Sequence, residues 1–321
     1  MHIPDGFLDT RTAATTAALS LCGVGYALRR VKRELPPRRV PLLGLAAAFL
    51  FVAQMINFPI LGGTSGHLIG GVLVAALLGP SAAVVVITTV LIVQGLLFGD
   101  GGLTALGANV FNMALVDSVL GYAVYRAISG LLPGLRGRIT AVAFAAWFAT
   151  VMASIVCAGE LAWSGMVAWP AAFSAMASVH MLIGIGEGLI SALVFLGIVR
   201  TRPDLIAPAR AADPPRKAGQ LLAYGLLIVL GLAILVAPFA CPWPDGLEHV
   251  ARRLGFEQKT APPVVTSPAQ DYQWPGVHSA AGATAVAGVV GALIVFLLAL
   301  VLGWLLAPRD GRRSAEPKTS G

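Results

Sequence analysis

Long apolar segments separated by short loops dominate this sequence and restrict what it can fold into. Nine segments can be delimited in the 321 residues, and eight are long enough to cross a hydrocarbon core of about 30 Å as helices. Charged residues make up only 12% of the chain, against about 25% in soluble domains. The sequence therefore predicts an all-α polytopic membrane protein with about nine transmembrane helices. The predicted segments are Leu8–Leu28, Pro41–Phe58, His67–Gly79, Ser81–Phe98, Gly107–Tyr125, Ile139–Trp163, Ala171–Val199, Leu221–Phe239 and Ala280–Leu306.

The third segment, His67–Gly79, is too short to span the membrane as a helix. Its thirteen residues reach only about 20 Å. Either the preceding stretch Leu61–Gly66 enters the membrane as coil, or the segment is partly re-entrant. Non-helical backbone at that depth is tolerated where protein buries it or where it lines a cavity.

Basic residues orient the predicted helices. Of the 22 Lys and Arg residues, 18 lie in four regions that follow segments one, five, seven and nine. Cytoplasmic loops carry an excess of Lys and Arg, so the N-terminus is predicted outside and the C-terminus in the cytoplasm. The expected location is the inner or plasma membrane, where these residues contact anionic lipid head groups. The regions are Arg29–Arg39, Arg126–Arg138, Arg200–Lys217 and the tail after Pro308.

A proline-, alanine- and charge-rich stretch divides the chain. Residues 201–217 read TRPDLIAPARAADPPRK and predict a flexible cytoplasmic linker. Before it lies a seven-segment unit, residues 1–200, and after it a two-segment unit, residues 218–307, with a cytoplasmic tail at 308–321. The second unit carries an extracytoplasmic loop, residues 241–279.

That loop contains PDGLEHVARRLGF. We expect a short helix from Glu248 to Phe256, with Asp245 or Gly246 near its start.

Several function classes are excluded. A net charge of +7 could suggest nucleic-acid binding, but the basic residues are topology signals and leave no domain to form a binding face. The cysteines Cys22, Cys157 and Cys241 lie far apart, so neither a zinc site nor a disulfide framework is indicated. No GxxxxGK[ST] motif occurs, so any ATP-driven step requires another subunit.

The chain opens MHIPDGF, and its first two residues can form a metal chelate. A second residue as large as histidine should leave Met1 in place with a free amine. That amine, the Met1–His2 amide nitrogen and Nδ1 of His2 close a five- and a six-membered ring around one ion. A second imidazole would complete a square, which favours Ni²⁺ or Cu²⁺ over Zn²⁺. The alternative is an ordinary frayed terminus.

His67 is the candidate for the fourth corner. It ends the glycine-rich loop NFPILGGTSGHLIGG, which the predicted topology places on the same side as the N-terminus. Thr64 and Ser65 could fix the imidazole tautomer from behind the ligand. The alternative is a helix-capping or interfacial histidine without a metal.

Other polar residues lie within predicted helices. His180 and Glu187 are seven apart and could form either a proton relay or a buried pair that fixes packing beside the glycines of a GxxxG motif, Gly184 and Gly188. Hydrogen bonds between helices are expected from Asn109, Asn112 and Asp117. Asp100 and Glu160 lie near outer helix ends and are expected to be solvated.

Four separated motifs together resemble the CbiM/NikM family, the substrate-binding components of energy-coupling-factor importers for cobalt and nickel. They are MHIPDGF, GGTSGHLIGG, GANVFNMAL and HMLIGIGEGLI, in the order of the family. The resemblance implies metal binding by Met1, His2 and His67. The second unit, with its PDGLE segment, resembles the NikN-type subunit, so the chain resembles a fusion of the two. This resemblance favours nickel over cobalt as the transported ion.

The same resemblance implies a transmembrane coupling protein and two cytoplasmic ATPases as partners. It implies no cofactor other than the transported ion, and no enzymatic activity in this chain. Two alternatives remain from the residues alone. One is a self-contained proton-coupled carrier that uses His180 and Glu187. The other is an intramembrane metalloprotease, although the sequence has no HExxH and a four-nitrogen square leaves no in-plane position for water.

Overall fold

The computed structural model describes residues 1–203 and 218–307. The predicted linker lies outside these ranges except for its first three residues, and the predicted tail lies outside them entirely. The two ranges contain eleven α-helices and one two-stranded hairpin. In chain order these are α1 (Thr10–Glu34), α2 (Val40–Met55), β1 (Phe58–Ile60), β2 (Thr64–Gly66), α3 (Gly71–Leu78), α4 (Pro80–Val93), α5 (Leu106–Asn109), α6 (Gly121–Leu131), α7 (Gly134–Trp163), α8 (Trp169–Thr201), α9 (Ala218–Leu235), α10 (Gly246–Leu254) and α11 (Ala280–Leu306).

Six helical segments of the described chain are long and apolar enough to cross a membrane. They correspond to predicted segments two, four, six, seven, eight and nine, so the prediction of a multi-pass helical membrane protein is confirmed. Their exact bounds are Pro37–Met55, Pro80–Phe98, Gly134–Trp163, Trp169–Thr201, Gly219–Phe239 and Ala280–Leu306.

The other three predicted segments take different forms. Helix α1 runs to Glu34, so the first segment extends through four of the six basic residues predicted to follow it. The third segment is helical only from Gly71, and His67–Gly70 is a buried non-helical stretch. The fifth is continuous from Leu106 to Leu131, with π-helical geometry over Val110–Leu120 between α5 and α6. The count of nine membrane helices and the predicted orientation therefore stay predictions.

A tight hairpin places the His67 loop. Strands β1 and β2 pair antiparallel, with Phe58 opposite Gly66 and Ile60 opposite Thr64. The turn between them contains Gly62 and Gly63 at φ of 93° and 79°, values that glycine adopts without a steric penalty. His67 follows β2 directly, so the hairpin fixes the point at which that side chain enters the protein.

The GxxxG motif on α8 packs against α7, as expected. A methyl group on Gly184 would lie 2.9 Å from the side chain of Trp147, and one on Gly188 would lie 2.5 Å from the carbonyl oxygen of Ala143. Glycine therefore allows the two helices to approach more closely than any other residue would. This contact fixes the position of α8, which carries His180 and Glu187.

The C-terminal unit, residues 218–307, packs on the N-terminal unit, residues 1–200. Helix α11 lies against α2, and a methyl group on Gly44 would lie 3.0 Å from the carbonyl oxygen of Phe296. Tyr272 stacks on Phe98 with ring centroids 4.9 Å apart. The short helix predicted near Glu248 is confirmed as α10, with Asp245 as its N-cap.

Candidate metal centre

The N-terminal peptide is buried, in contrast to a frayed terminus. Met1, Ile3 and Phe7 are 4%, 0% and 2% exposed. Ordering a free terminus costs about 1–2 kcal/mol of backbone entropy per residue, so specific contacts must offset that cost. Those contacts come from both units of the chain.

Asn109 holds the peptide at its third residue. The Ile3 amide donates to Oδ1 of Asn109 at 2.8 Å, and Nδ2 of Asn109 donates back to the Ile3 carbonyl at 3.1 Å. The Gly102 amide donates to the same carbonyl at 2.9 Å. Asn109, expected to join two helices, instead pairs with the backbone of the terminal peptide.

Asp5 and Phe7 hold the peptide further along. Oδ1 of Asp5 accepts from the amide and the hydroxyl of Thr104 at 2.8 and 2.6 Å. The Ala261 amide of the C-terminal unit donates to the Asp5 carbonyl at 2.9 Å. The ring of Phe7 meets that of Phe256 edge-on, with centroids 5.2 Å apart.

Glu187 fixes the loop that follows His67. Its Oε2 accepts from the Ile69 amide at 2.7 Å, and its Oε1 accepts from the Gly70 amide at 2.9 Å. Gly70 has a φ of 78°, which disfavours any side chain at that position. A buried carboxylate bound to two backbone amides orients the turn and, through it, the His67 ring.

The Met1 amine meets His67 at the centre of the site. The Met1 ammonium donates to Nε2 of His67 at 2.8 Å and lies 2.9 Å from Oδ2 of Asp245. The side chains of Met1 and Asp245 are 2% and 15% exposed. Burial would raise the pKa of the Asp245 carboxyl, but the ammonium and the Glu248 amide outweigh it and hold this pKa below its usual range.

His2 lies beside these groups. Its ring stacks on that of His67, with centroids 5.2 Å apart and an interplanar angle of 22°. Nδ1 of His2 lies 3.1 Å from Oδ1 of Asp100, whose Oδ2 accepts from the Tyr272 hydroxyl at 2.6 Å. Burial lowers the pKa of the His2 imidazole below its ordinary value, although the nearby Asp100 carboxylate opposes this shift. Coordination through Nδ1 therefore requires the ring to leave Asp100.

His180 and Glu187 bond to different groups. Nδ1 of His180 donates to the Met176 carbonyl at 2.8 Å, whereas Glu187 binds the His67 loop. Both residues are buried, and no hydrogen bond between them is found among the described residues. His180 also lines a small cavity, together with Met1, Gly66, His67, Ile69, Thr150, Ile183, Asp245 and Gly246.

Thr64 and Ser65 were expected to fix the tautomer of the His67 imidazole, but their hydroxyls bond to other groups. The Ser65 hydroxyl donates to the Trp243 carbonyl at 2.8 Å, and the Thr64 hydroxyl donates to the Pro244 carbonyl at 3.1 Å. The Ser65 amide also donates to Pro244 at 2.8 Å. The two residues therefore dock strand β2 onto the C-terminal unit just before Asp245.

Asn112 links two helices, as expected, but its partner was not foreseen. Its Nδ2 donates to Oε2 of Glu160 on α7 at 2.6 Å. Glu160 is only 5% exposed, so the expectation that it is solvated is wrong. Asp117 is fully buried beside Gly71 at the start of α3.

Two site residues were missed from the sequence as members of the site. Asp245 was expected only as a helix start, and Asp100 only as a solvated end residue. Among the described residues, no group of three His, Cys, Asp or Glu side chains could hold a metal ion. The Met1 amine and the Met1–His2 amide nitrogen remain candidate donors beside the two imidazoles.

Comparison with known proteins identifies the family. Residues 2–205 match the family described as CbiM, the cobalt uptake substrate-specific transmembrane region. The chain belongs to this family. Residues 219–308 match the PDGLE domain. The resemblance drawn from the four motifs and the PDGLE segment is confirmed.

Relatives match most of the chain. The putative fused nickel transport protein NikMN of Archaeoglobus fulgidus is 38% identical over 304 residues, which cover 94% of this chain and 98% of that protein. The fused nickel transport protein NikMN of Rhodobacter capsulatus is 37% identical, and the match covers 72% of this chain and 71% of that protein. A crystal structure of a truncated transition metal transporter matches with a TM-score of 0.58 and 33% identity, covering 63% of this chain and 99% of that one.

We expect Glu187→Gln to weaken metal binding by displacing the His67 loop. The amide side chain can accept one of the two backbone N–H groups and leaves the other unpaired, which costs about 1–3 kcal/mol in a buried place. Thermal stability and Ni²⁺ affinity in detergent measure the effect. Glu160→Gln is the matched control, since that carboxylate bonds Asn112 rather than the loop. Unchanged Ni²⁺ affinity in Glu187→Gln would contradict this role.

Proposed function

We propose that this chain is the substrate-binding membrane component of an energy-coupling-factor importer for Ni²⁺ or Co²⁺. The ion is captured by the Met1 amine, the Met1–His2 amide nitrogen, Nδ1 of His2 and Nε2 of His67. The observation that carries the proposal is the buried contact between the Met1 amine and His67, two residues 66 positions apart.

The distance in that contact matches the proposed complex. With metal–nitrogen bonds of about 2.0 Å, neighbouring corners of a square lie about 2.8 Å apart. The Met1 nitrogen and Nε2 of His67 are separated by 2.8 Å. The ion can therefore replace the shared proton without moving either donor far, because the hydrogen bond already holds them at that spacing.

Nickel is the favoured ion, for two reasons. Planar nitrogen ligation suits Ni²⁺ and Cu²⁺. Two relatives, one matching 94% of the chain and one matching 72% of it, are named as fused nickel transport proteins. Cobalt accepts the same nitrogens, so competition between the two ions at one site, followed by calorimetry, is the direct test.

We expect His67→Ala to abolish metal retention while leaving the protein folded. The change removes one corner of the square and the acceptor of the Met1 ammonium. The measurement is the metal content of purified protein, with a thermal melt in the absence of metal. His249→Ala, on α10, is the matched control. An unchanged ratio of metal to protein in His67→Ala would contradict the assignment of His67 as a ligand.

A single residue placed ahead of Met1 should destroy tight binding. Extension converts the amine to an amide, changes the chelate rings and adds chain where Met1 is only 4% exposed. Calorimetry with Ni²⁺ should show at least about a hundredfold loss, as expected when a chelating donor is removed. A C-terminal tag is the control. Equal affinity of the two tagged proteins would show that the amine is not a ligand.

Transport should require a transmembrane coupling protein and a pair of ATPases, since the sequence has no phosphate-binding loop. Cells that lack other nickel and cobalt importers, and that express this chain alone, should accumulate little labelled ion. Adding the partner subunits should restore uptake. Robust accumulation without any ATPase would favour the proton-coupled carrier instead.

A further inference from the structure

A small cavity beside the candidate ligands is also lined by His180. Met1, His67 and Asp245 form one part of its wall, and His180 forms another. His180 is only 2% exposed, so its ring faces the interior of the protein rather than the outer surface of α8. The cavity therefore brings a buried imidazole next to the proposed square, although that imidazole is not one of its corners.

The hydrogen bonding of His180 leaves its Nε2 free. Nδ1 of the ring lies 2.8 Å from the Met176 carbonyl, which can only accept, so Nδ1 carries the proton of the neutral ring. Among the described residues, no hydrogen bond to Nε2 of His180 is found. This nitrogen is then a lone-pair donor, which is the form in which an imidazole binds a metal ion.

The free nitrogen lies on the edge of the ring that faces Gly246. A methyl group on Gly246 would lie 2.7 Å from Cε1 and 2.8 Å from Nε2 of His180. Gly246 also lines the cavity, and it directly follows Asp245, whose Oδ2 lies 2.9 Å from the Met1 amine. Because position 246 has no side chain, Nε2 stays uncovered beside a carboxylate that already touches the candidate site.

The nitrogens of the proposed square are engaged with other groups. The Met1 amine contacts His67 and Asp245, and Nδ1 of His2 lies 3.1 Å from Asp100. These contacts must rearrange before the same nitrogens can bind an ion. An arriving ion is held best by a donor that needs no such rearrangement, and Nε2 of His180 is a donor of this kind.

An ion in this cavity would be bound only weakly. Imidazole nitrogen and carboxylate oxygen both bind divalent metal ions, and His180 and Asp245 offer one group of each type. In the part of the chain that the structure describes, no group of three His, Cys, Asp or Glu side chains could hold a metal ion, so water must complete the coordination. A weak position suits an ion in transit, because tight binding there would trap it.

We propose that Nε2 of His180, together with Asp245, forms an entry position from which a divalent ion passes to Met1, His2 and His67. The inference rests on the proposed function and extends it, because it gives His180 a role in metal entry that leaves the final complex unchanged. Removing a group that contacts the ion only in transit slows entry and exit equally. The equilibrium affinity, which is the ratio of the two rates, then stays the same.

The test is His180→Asn in the full chain, purified in detergent and mixed rapidly with Ni²⁺. Asparagine keeps an N–H group near the position of Nδ1, so the bond to Met176 can persist, and it has no atom at the position of Nε2. The association and dissociation rates should each fall about tenfold, the lower end of the effect of residues that support a metal site. The affinity and the visible absorption of the saturated protein should not change.

Gly246→Ala tests the same nitrogen without altering His180. The added methyl group covers the Cε1–Nε2 edge of the ring, and the backbone at position 246 lies outside the left-handed region, so alanine is compatible with it. Both rates should fall as in His180→Asn, which preserves the test if one of the two variants does not fold. His249→Ala is the matched control and should keep the rates of the unmodified protein, since His249 lies on α10 but does not line the cavity.

The contrary outcomes are distinct. Unchanged rates in the folded variants would overturn the entry position and leave the cavity to water. A loss of affinity in His180→Asn would overturn it as well, because His180 would then act on the final complex. Equal slowing in His249→Ala would show that the effect does not come from the cavity. If the unmodified protein binds neither Ni²⁺ nor Co²⁺, the proposed function fails instead.

Discussion

The structure depends on a buried ammonium group. A positive charge away from water is tolerated only where an anion and neutral acceptors surround it, and here these are Asp245 and His67. The two partners come from different units, at positions 67 and 245. The same small group therefore joins the terminal peptide, the His67 loop and the C-terminal unit. Its burial explains why the first seven residues are ordered rather than frayed.

The surrounding scaffold includes three polar side chains that bind backbone groups. Asn109 pairs with both backbone groups of Ile3, Asp5 binds Thr104, and Glu187 binds the Ile69 and Gly70 amides. Each fixes an irregular peptide that has no helix or sheet ladder to satisfy it. Intramembrane polar residues are commonly interpreted as a transport path or as links between helices. In this protein Asn109, Asp5 and Glu187 hold the segments that carry the candidate donors.

Much of the fold could be predicted from the sequence, because apolar length alone identifies the six strongest spans. The candidate trio of Met1, His2 and His67 could also be predicted. The nitrogens of the first two residues can form a chelate, and the basic loops place His67 on the same side of the membrane. Contacts between distant positions could not be predicted. Asp245 was read as a helix start, which it is, but nothing local shows that its second oxygen meets residue 1. Glu160 was read as solvated because its partner, Asn112, lies 48 positions away.

Contacts to the C-terminal unit hold each of the candidate donors. The amine is held by Asp245, and Nδ1 of His2 lies beside Asp100, which accepts from Tyr272. Asp245 and Tyr272 both belong to the C-terminal unit, and Ser65, just before His67, binds that unit at Trp243 and Pro244. Every candidate ligand is thus tied, directly or through one residue, to the same unit. The C-terminal unit therefore contributes to the position of all three candidate ligands.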